Sequence, residues 1–165
     1  MSKKLLYTAC ALLLPIHMAF ASGPPATKPG LWSVSRQTID NPGNKKKVWP
    51  PIKVCHNHAF DIYVNDLMKR MPGCTTVSES TQGNKSFSEL KCVIGKSVVE
   101  TKGTTTYQGD TFVHSESNTT YAPALYGTSE TTMTGDLKYI GSCPVGMQPG
   151  DQMNANGTIS HLWKH

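Results

Sequence analysis

Between Thr101 and Thr134 stand eleven threonines, with few large apolar side chains among them. Threonine suits the pleated surface of a strand, but its hydroxyl is a poor filling for a dry core. A stretch of this kind cannot wrap a wide oily interior. It has to spread into antiparallel strands that are wet on one side, and something other than apolar burial must help to hold them.

Sulfur is the candidate. Of five cysteines, Cys10 lies in a leader-like N-terminus and Cys55, Cys74, Cys92 and Cys143 follow it. Residues 1–21 read as a cleaved export signal. Lys3 and Lys4 supply its positive start, Leu5 to Phe20 its apolar run, and Ala19-Phe20-Ala21 its small-residue cleavage site. An even number of cysteines in an exported chain reads as two disulfides, each contributing about 2–4 kcal/mol. Taking 21 residues from 165 leaves 144, enough for one domain. Losing Lys3 and Lys4 lowers the formal charge from +5 to +3. That is too weak to call for nucleic acid, and Lys45-Lys46-Lys47 reads as a solvated hairpin tip, with an anionic contact as the alternative. No later stretch reaches the ~20 apolar residues of a membrane-spanning helix.

Ser22 to Gly30 is proline-rich and reads as an extended, mobile arm. Residues 31–143 carry the single β-rich domain, and residues 144–165 read as an irregular tail. Strands are expected near 31–39 and 47–55, joined at Asn41-Pro42-Gly43-Asn44. Val48, Pro50, Ile52 and Val54 should share one face, and Pro50-Pro51 should bend the second strand or place it at an edge. One helix is expected from His58 to Arg70, capped by Asn57 and stopped by Pro72-Gly73. Phe60, Val64, Leu67 and Met71 would be its buried stripe. A meander follows Cys74, turning first at Gln82 to Lys85. The fold class is therefore α+β, mainly antiparallel, either a sheet curved around one short helix or a small barrel of about six or seven strands.

Cys74 and Cys92 lie symmetrically about Gly83, inside the expected turn. Residues paired across a hairpin have this symmetry, which favours Cys74–Cys92 and leaves Cys55 for Cys143; other pairings stay open.

The order of landmarks is specific. Lys28-Pro29-Gly30-Leu31-Trp32 precedes Cys55 and the capped helix, and Cys74 and Cys92 bracket a hairpin. Gly141-Ser142-Cys143-Pro144 and then Gly146-Met147-Gln148-Pro149-Gly150-Asp151 close the pattern. This resembles the bacterial exported proteins of domain-of-unknown-function family 3617. The resemblance spans nearly all of the chain after the leader and implies an exported, disulfide-bearing, β-rich protein. It implies no reaction, cofactor or catalytic residue. Ser142 stands where the family commonly has Asp, and His56-Asn57-His58 is not a family hallmark.

Among candidate sites, Cys55-His56-Asn57-His58 packs a thiol and two imidazoles together. In extended chain His56 and His58 would share a face and suit copper or zinc, but a helix starting at His58 turns them apart, and a disulfide consumes the thiolate. His161 and His165 have nothing local to position them. Met68 with Met71 is a weak copper(I) pattern. No Gly-x-Ser-x-Gly elbow occurs, His114 lies in a strand pattern, and Asp61, Asp66, Glu89, Glu100 and Glu116 read as solvated scatter. Trp32, Trp49, Tyr107, Phe112, Tyr121 and Tyr126 read as packing residues, or as an apolar ligand site if several line one concavity. The expectation is a non-enzymatic periplasmic or secreted module, without a cofactor, that binds an envelope protein or a small apolar ligand. The alternative is periplasmic metal binding by His56 and His58.

Overall fold

The computed structural model describes residues 23–161. The leader, Cys10 and His165 lie outside them. Nine strands and one helix follow in the order β1 (Gly30–Asn41), β2 (Lys45–His56), α1 (His58–Lys69), β3 (Cys74–Gln82), β4 (Lys85–Ile94), β5 (Ser97–Gln108), β6 (Phe112–Leu125), β7 (Thr128–Gly141), β8 (Asp151–Met153) and β9 (Ile159–His161). All strands join one open antiparallel sheet in the order β3-β4-β5-β6-β7-β1-β2-β8-β9. The expected seven strands are present, and the sheet does not close into a barrel. The additional two come from the tail. Residues 144–165 are thus not wholly irregular: the Asp151 carboxylate accepts from the Gln148 N–H at 2.8 Å and pairs with His161 at 2.8 Å, folding a three-residue ladder back beside β2. Strands this short carry no readable alternation.

The β1–β2 hairpin turns where Gly43 (φ 99°) and Asn44 (φ 51°) take left-handed conformations, which Gly and Asn tolerate best. The paired prolines bend β2 as expected. Val34 opposes Ile52 and Arg36 opposes Trp49, so the extra residue of a bulge falls at Pro50-Pro51. That bulge reverses the alternation. Val48 lies on the opposite face from Ile52 and Val54, correcting the reading that placed all of them together.

Cys74 opposes Cys92 directly across β3–β4 and is bonded to it, while Cys55 is bonded to Cys143. The second bridge sits in the main apolar cluster, where Leu31, Cys55 and Met147 are buried and Cys143 and Met153 pack against them. Gly150 N–H donates to the Cys55 carbonyl at 2.7 Å, so the segment after Cys143 is tied over the end of β2. The N-terminal arm is tied as well. Lys28 N–H donates to the Asp110 carbonyl at 2.8 Å, and the Lys28 carbonyl accepts from Trp32 Nε1 at 2.9 Å. The backbone hydrogen bonds open to a proline-rich segment had hidden this anchorage from composition.

α1 begins as expected, with Asn57 Oδ1 accepting from the Phe60 N–H at 2.9 Å. Its stripe is not buried. Val64 is 37% exposed, Leu67 55% and Met71 39%. The helix links β2 to β3, which lie six places apart in the sheet, about 29 Å if flat. It touches β3 and no other strand extensively, so its apolar side is left largely in water. Amphipathic periodicity correctly marked a helix here; it did not supply a surface for the stripe to cover.

Candidate functional site

Residues that oppose each other in an antiparallel ladder point to the same face, so the registers sort every side chain. On one face of β4–β7, Tyr107, Val113 and Leu137 make a row that ends at Val34 of β1. The next row is Ser86, Thr105, Ser115, Gly135 and Arg36. Then come Ser88, Gly103, Ser117, Met133 and Thr38, followed by Leu90, Thr101, Thr119, Thr131 and Asp40. Within β4–β7 none of these residues is charged. The opposite face carries every acidic, basic and histidine side chain of the same four strands: Lys85, Glu89, Lys91, Glu100, Lys102, His114, Glu116, Glu130, Asp136 and Lys138.

Most of the charged face is self-paired. Lys91 meets Glu100 at 2.8 Å, which raises the pKa of the lysine and lowers that of the glutamate. Lys102 meets Glu89 at 3.3 Å. His114 lies between Asp136 at 2.6 Å and Glu116 at 3.3 Å; the hydrogen bonds to these carboxylates, Asp136 first, raise its pKa above the usual histidine range. Such a face is at home in water.

Several hydroxyls of the uncharged face are bonded within the protein. Thr101 and Thr119 bond at 2.9 Å, Thr81 and Ser86 at 3.2 Å, and Ser115 Oγ donates to the Gly135 carbonyl at 3.3 Å. Tyr121 donates to Thr131 at 3.5 Å, and Thr131 donates in turn to Asp40 at 2.7 Å. Gly103 and Gly135 make room for this: a Cβ at either would meet Ser88 Oγ at 3.0 Å or Ser115 Oγ at 3.1 Å. Hydroxyls bonded to one another lose less on dehydration than hydroxyls that depend on water.

α1 stands on this uncharged side. Asp61 bonds His56 Nδ1 at 3.0 Å, and His56 in turn packs edge-on against Trp32, which shares the row of Tyr139 and Val54. Lys69 pairs at 2.9 Å with Glu79, which faces Ser88. Burial pushes the Tyr107 phenol up, and the nearby Asp61 carboxylate adds to the effect against a hydrogen bond from Ser86. At the far side of the face, Arg36 and Lys47 flank the ring of Trp49 at 4.7 and 3.5 Å from its centre.

Trp32, Trp49, Tyr107 and Tyr121 do share the uncharged face, whereas Phe112 lies on the other and Tyr126 is exposed in the β6–β7 turn. Tyr139 belongs to the set and was missed. His56 closes β2, bonded to Asp61; His58 opens α1 and is exposed. His161 is paired with Asp151, whose own pKa is lowered by the Gln148 N–H and then by that histidine. Among the described residues no group of three or more His, Cys, Asp or Glu side chains is arranged to hold a metal ion. Met68 and Met71 are both exposed. Among the described residues no helix is long and apolar enough to cross a membrane.

The family described as "Protein of unknown function (DUF3617)" matches residues 27–143, a span that takes in the end of the arm, α1, both disulfides and the first seven strands. No curated protein matches the chain.

Proposed function

Because the chain belongs to the DUF3617 family, whose description assigns no activity, we propose its function from the sheet: it is an exported cell-envelope protein that binds an apolar ligand or a partner protein on the uncharged face, without catalysing a reaction. One observation carries this reading. Charge is segregated completely between the two faces of β4–β7. Cross-strand pairing accounts for charges meeting on one face, but not for their absence from every position of the other. An apolar occupant gains from that absence, since burying even one unpaired charge beneath it costs several kcal/mol. Export is supported by the leader pattern and by two disulfides of the kind that persist where thiols are oxidised.

The test uses neighbouring residues that point opposite ways. Ser117→Glu puts a charge in the middle of the uncharged face, and Asn118→Glu puts the same charge on the charged one. The parent protein and Asn118→Glu should bind Nile red, an uncharged apolar dye, while Ser117→Glu loses at least about tenfold in affinity. Equal binding by all three, with equal melting temperatures, would put the site elsewhere.

A second reading, periplasmic binding of copper or zinc by His56 and His58, has one observation in its favour. Asp61 orients His56 through Nδ1, and Nε2 is buried with no hydrogen-bond partner. A carboxylate holding one ring nitrogen while the other is left for a metal is the usual support of a histidine ligand. Native mass spectrometry of the protein from its own host decides this: stoichiometric metal, lost in the His56→Ala/His58→Ala double variant, is the expected result, and metal-free parent protein ends it.

A further inference from the structure

We propose that the occupant of the uncharged face is a single fatty acid anion, its acyl chain laid across β4–β7 and its carboxylate held by Arg36, Lys45 and Lys47. The proposal rests on the reading of that face as a binding surface and names what it binds.

The charge around the face is unbalanced in one place. Toward α1, the charged groups have partners: Asp61 bonds His56, and Lys69 pairs with Glu79. Toward β1 and β2, they are not. Arg36 continues the row of Gly135, Lys47 opposes Thr38, and Lys45 opposes Asp40, so all three cations rise on the uncharged side. Among the described residues none of them forms an ion pair. Asp40 accepts from Thr131, and Arg36 and Lys47 rest against Trp49. Cation–π contacts are worth roughly 0.5–1 kcal/mol at exposed sites, so a carboxylate arriving between these groups has little to displace.

The chemistry of the rest of the ligand follows from what the face lacks. It lies in the interior of the sheet, where the backbone N–H and C=O groups of β4–β7 are spent on neighbouring strands. A peptide laid there would find no backbone partners, and its own polar groups would be stranded. An acyl chain has no such groups. From β1 to β4 is four strand spacings, about 19 Å, comparable to an extended palmitoyl chain.

Calorimetric titration with three amphiphiles of matched chain length tests this: palmitate, uncharged monopalmitoylglycerol and hexadecyltrimethylammonium, each below its micellar concentration. Palmitate should bind one to one and at least about tenfold tighter than the uncharged lipid, with the cation weakest. The Arg36→Gln/Lys45→Gln/Lys47→Gln variant should lose that preference yet keep the uncharged affinity. Lys46→Gln/Lys53→Gln, with both changes on the other face, should keep the preference. Equal affinity for all three amphiphiles overturns the headgroup site and leaves the binding face standing. Binding of none of them, with no Nile red bound either, overturns both. Sedimentation with phosphatidylglycerol vesicles in the absence of palmitate binding replaces the single anion with a membrane surface.

Discussion

Replacing Cys55 and Cys143 together by alanine should lower the unfolding free energy by about 4–5 kcal/mol, and replacing Cys74 with Cys92 by about 3 kcal/mol. The ranking follows from loop length. The first bridge closes 88 residues of chain and the second only 18, so the first removes more freedom from the unfolded ensemble. Packing works in the same direction. Cys55 is 1% exposed and belongs to the cluster with Leu31 and Met147, which also holds the segment after Cys143 over β2. Cys74 and Cys92 instead join adjacent strands that are already paired along their length, apart from one bulge at Val77. A domain of this size has a total stability of about 5–15 kcal/mol, so the first substitution removes a large share of it. Urea unfolding of the oxidised parent and of the two double variants, followed by far-ultraviolet circular dichroism, reads the order directly. A smaller loss for the Cys55/Cys143 variant than for the Cys74/Cys92 variant would contradict it.

The parts of this fold that were legible in the sequence are those written in local chemistry. Asn57 and the Pro72-Gly73 stop bracket α1 to within a residue, and the symmetry of Cys74 and Cys92 about Gly83 located a strand pairing and a disulfide together. The parts that were not legible depend on register or on distant contacts. A bulge at Pro50-Pro51 sends Val48 to the other face, and no pattern of alternation can foresee a one-residue shift. The apolar stripe of α1 marks a helix but does not specify its cover. The uncharged face was half visible. In each of the three strands β5–β7 the charged residues keep one parity, as with Glu100 and Lys102, His114 and Glu116, or Asp136 and Lys138. That alternation says one face is uncharged. It does not say that the uncharged faces of four strands coincide, which the ladder registers alone establish.

Trp32→Ala should cost about 3–5 kcal/mol, whereas Trp49→Ala should cost no more than about 1 kcal/mol. Both are tryptophans on the same face of neighbouring strands, and the difference is in what surrounds them. Trp32 is 1% exposed and joins three pieces of chain. Its Nε1 donates to Lys28 in the arm, its ring meets His56 of β2 edge-on at 4.9 Å, and it meets Tyr139 of β7 at 6.0 Å. In a molecule with so few buried apolar side chains, nothing nearby is large enough to collapse into the space it would leave. Trp49 is only half-buried, and its ring is covered by the flexible ends of Arg36 and Lys47, which can return to water. Trp32→Phe separates bulk from hydrogen bonding: it retains most of the ring and strands the Lys28 carbonyl, for an expected loss of about 1–3 kcal/mol. Thermal melts of the three variants should therefore fall in the order Trp49→Ala, Trp32→Phe, Trp32→Ala from most to least stable. If Trp32→Ala melts with the parent, the arm, β2 and β7 are joined by something other than this indole, and the placement of α1 over the uncharged face through His56 loses its anchor.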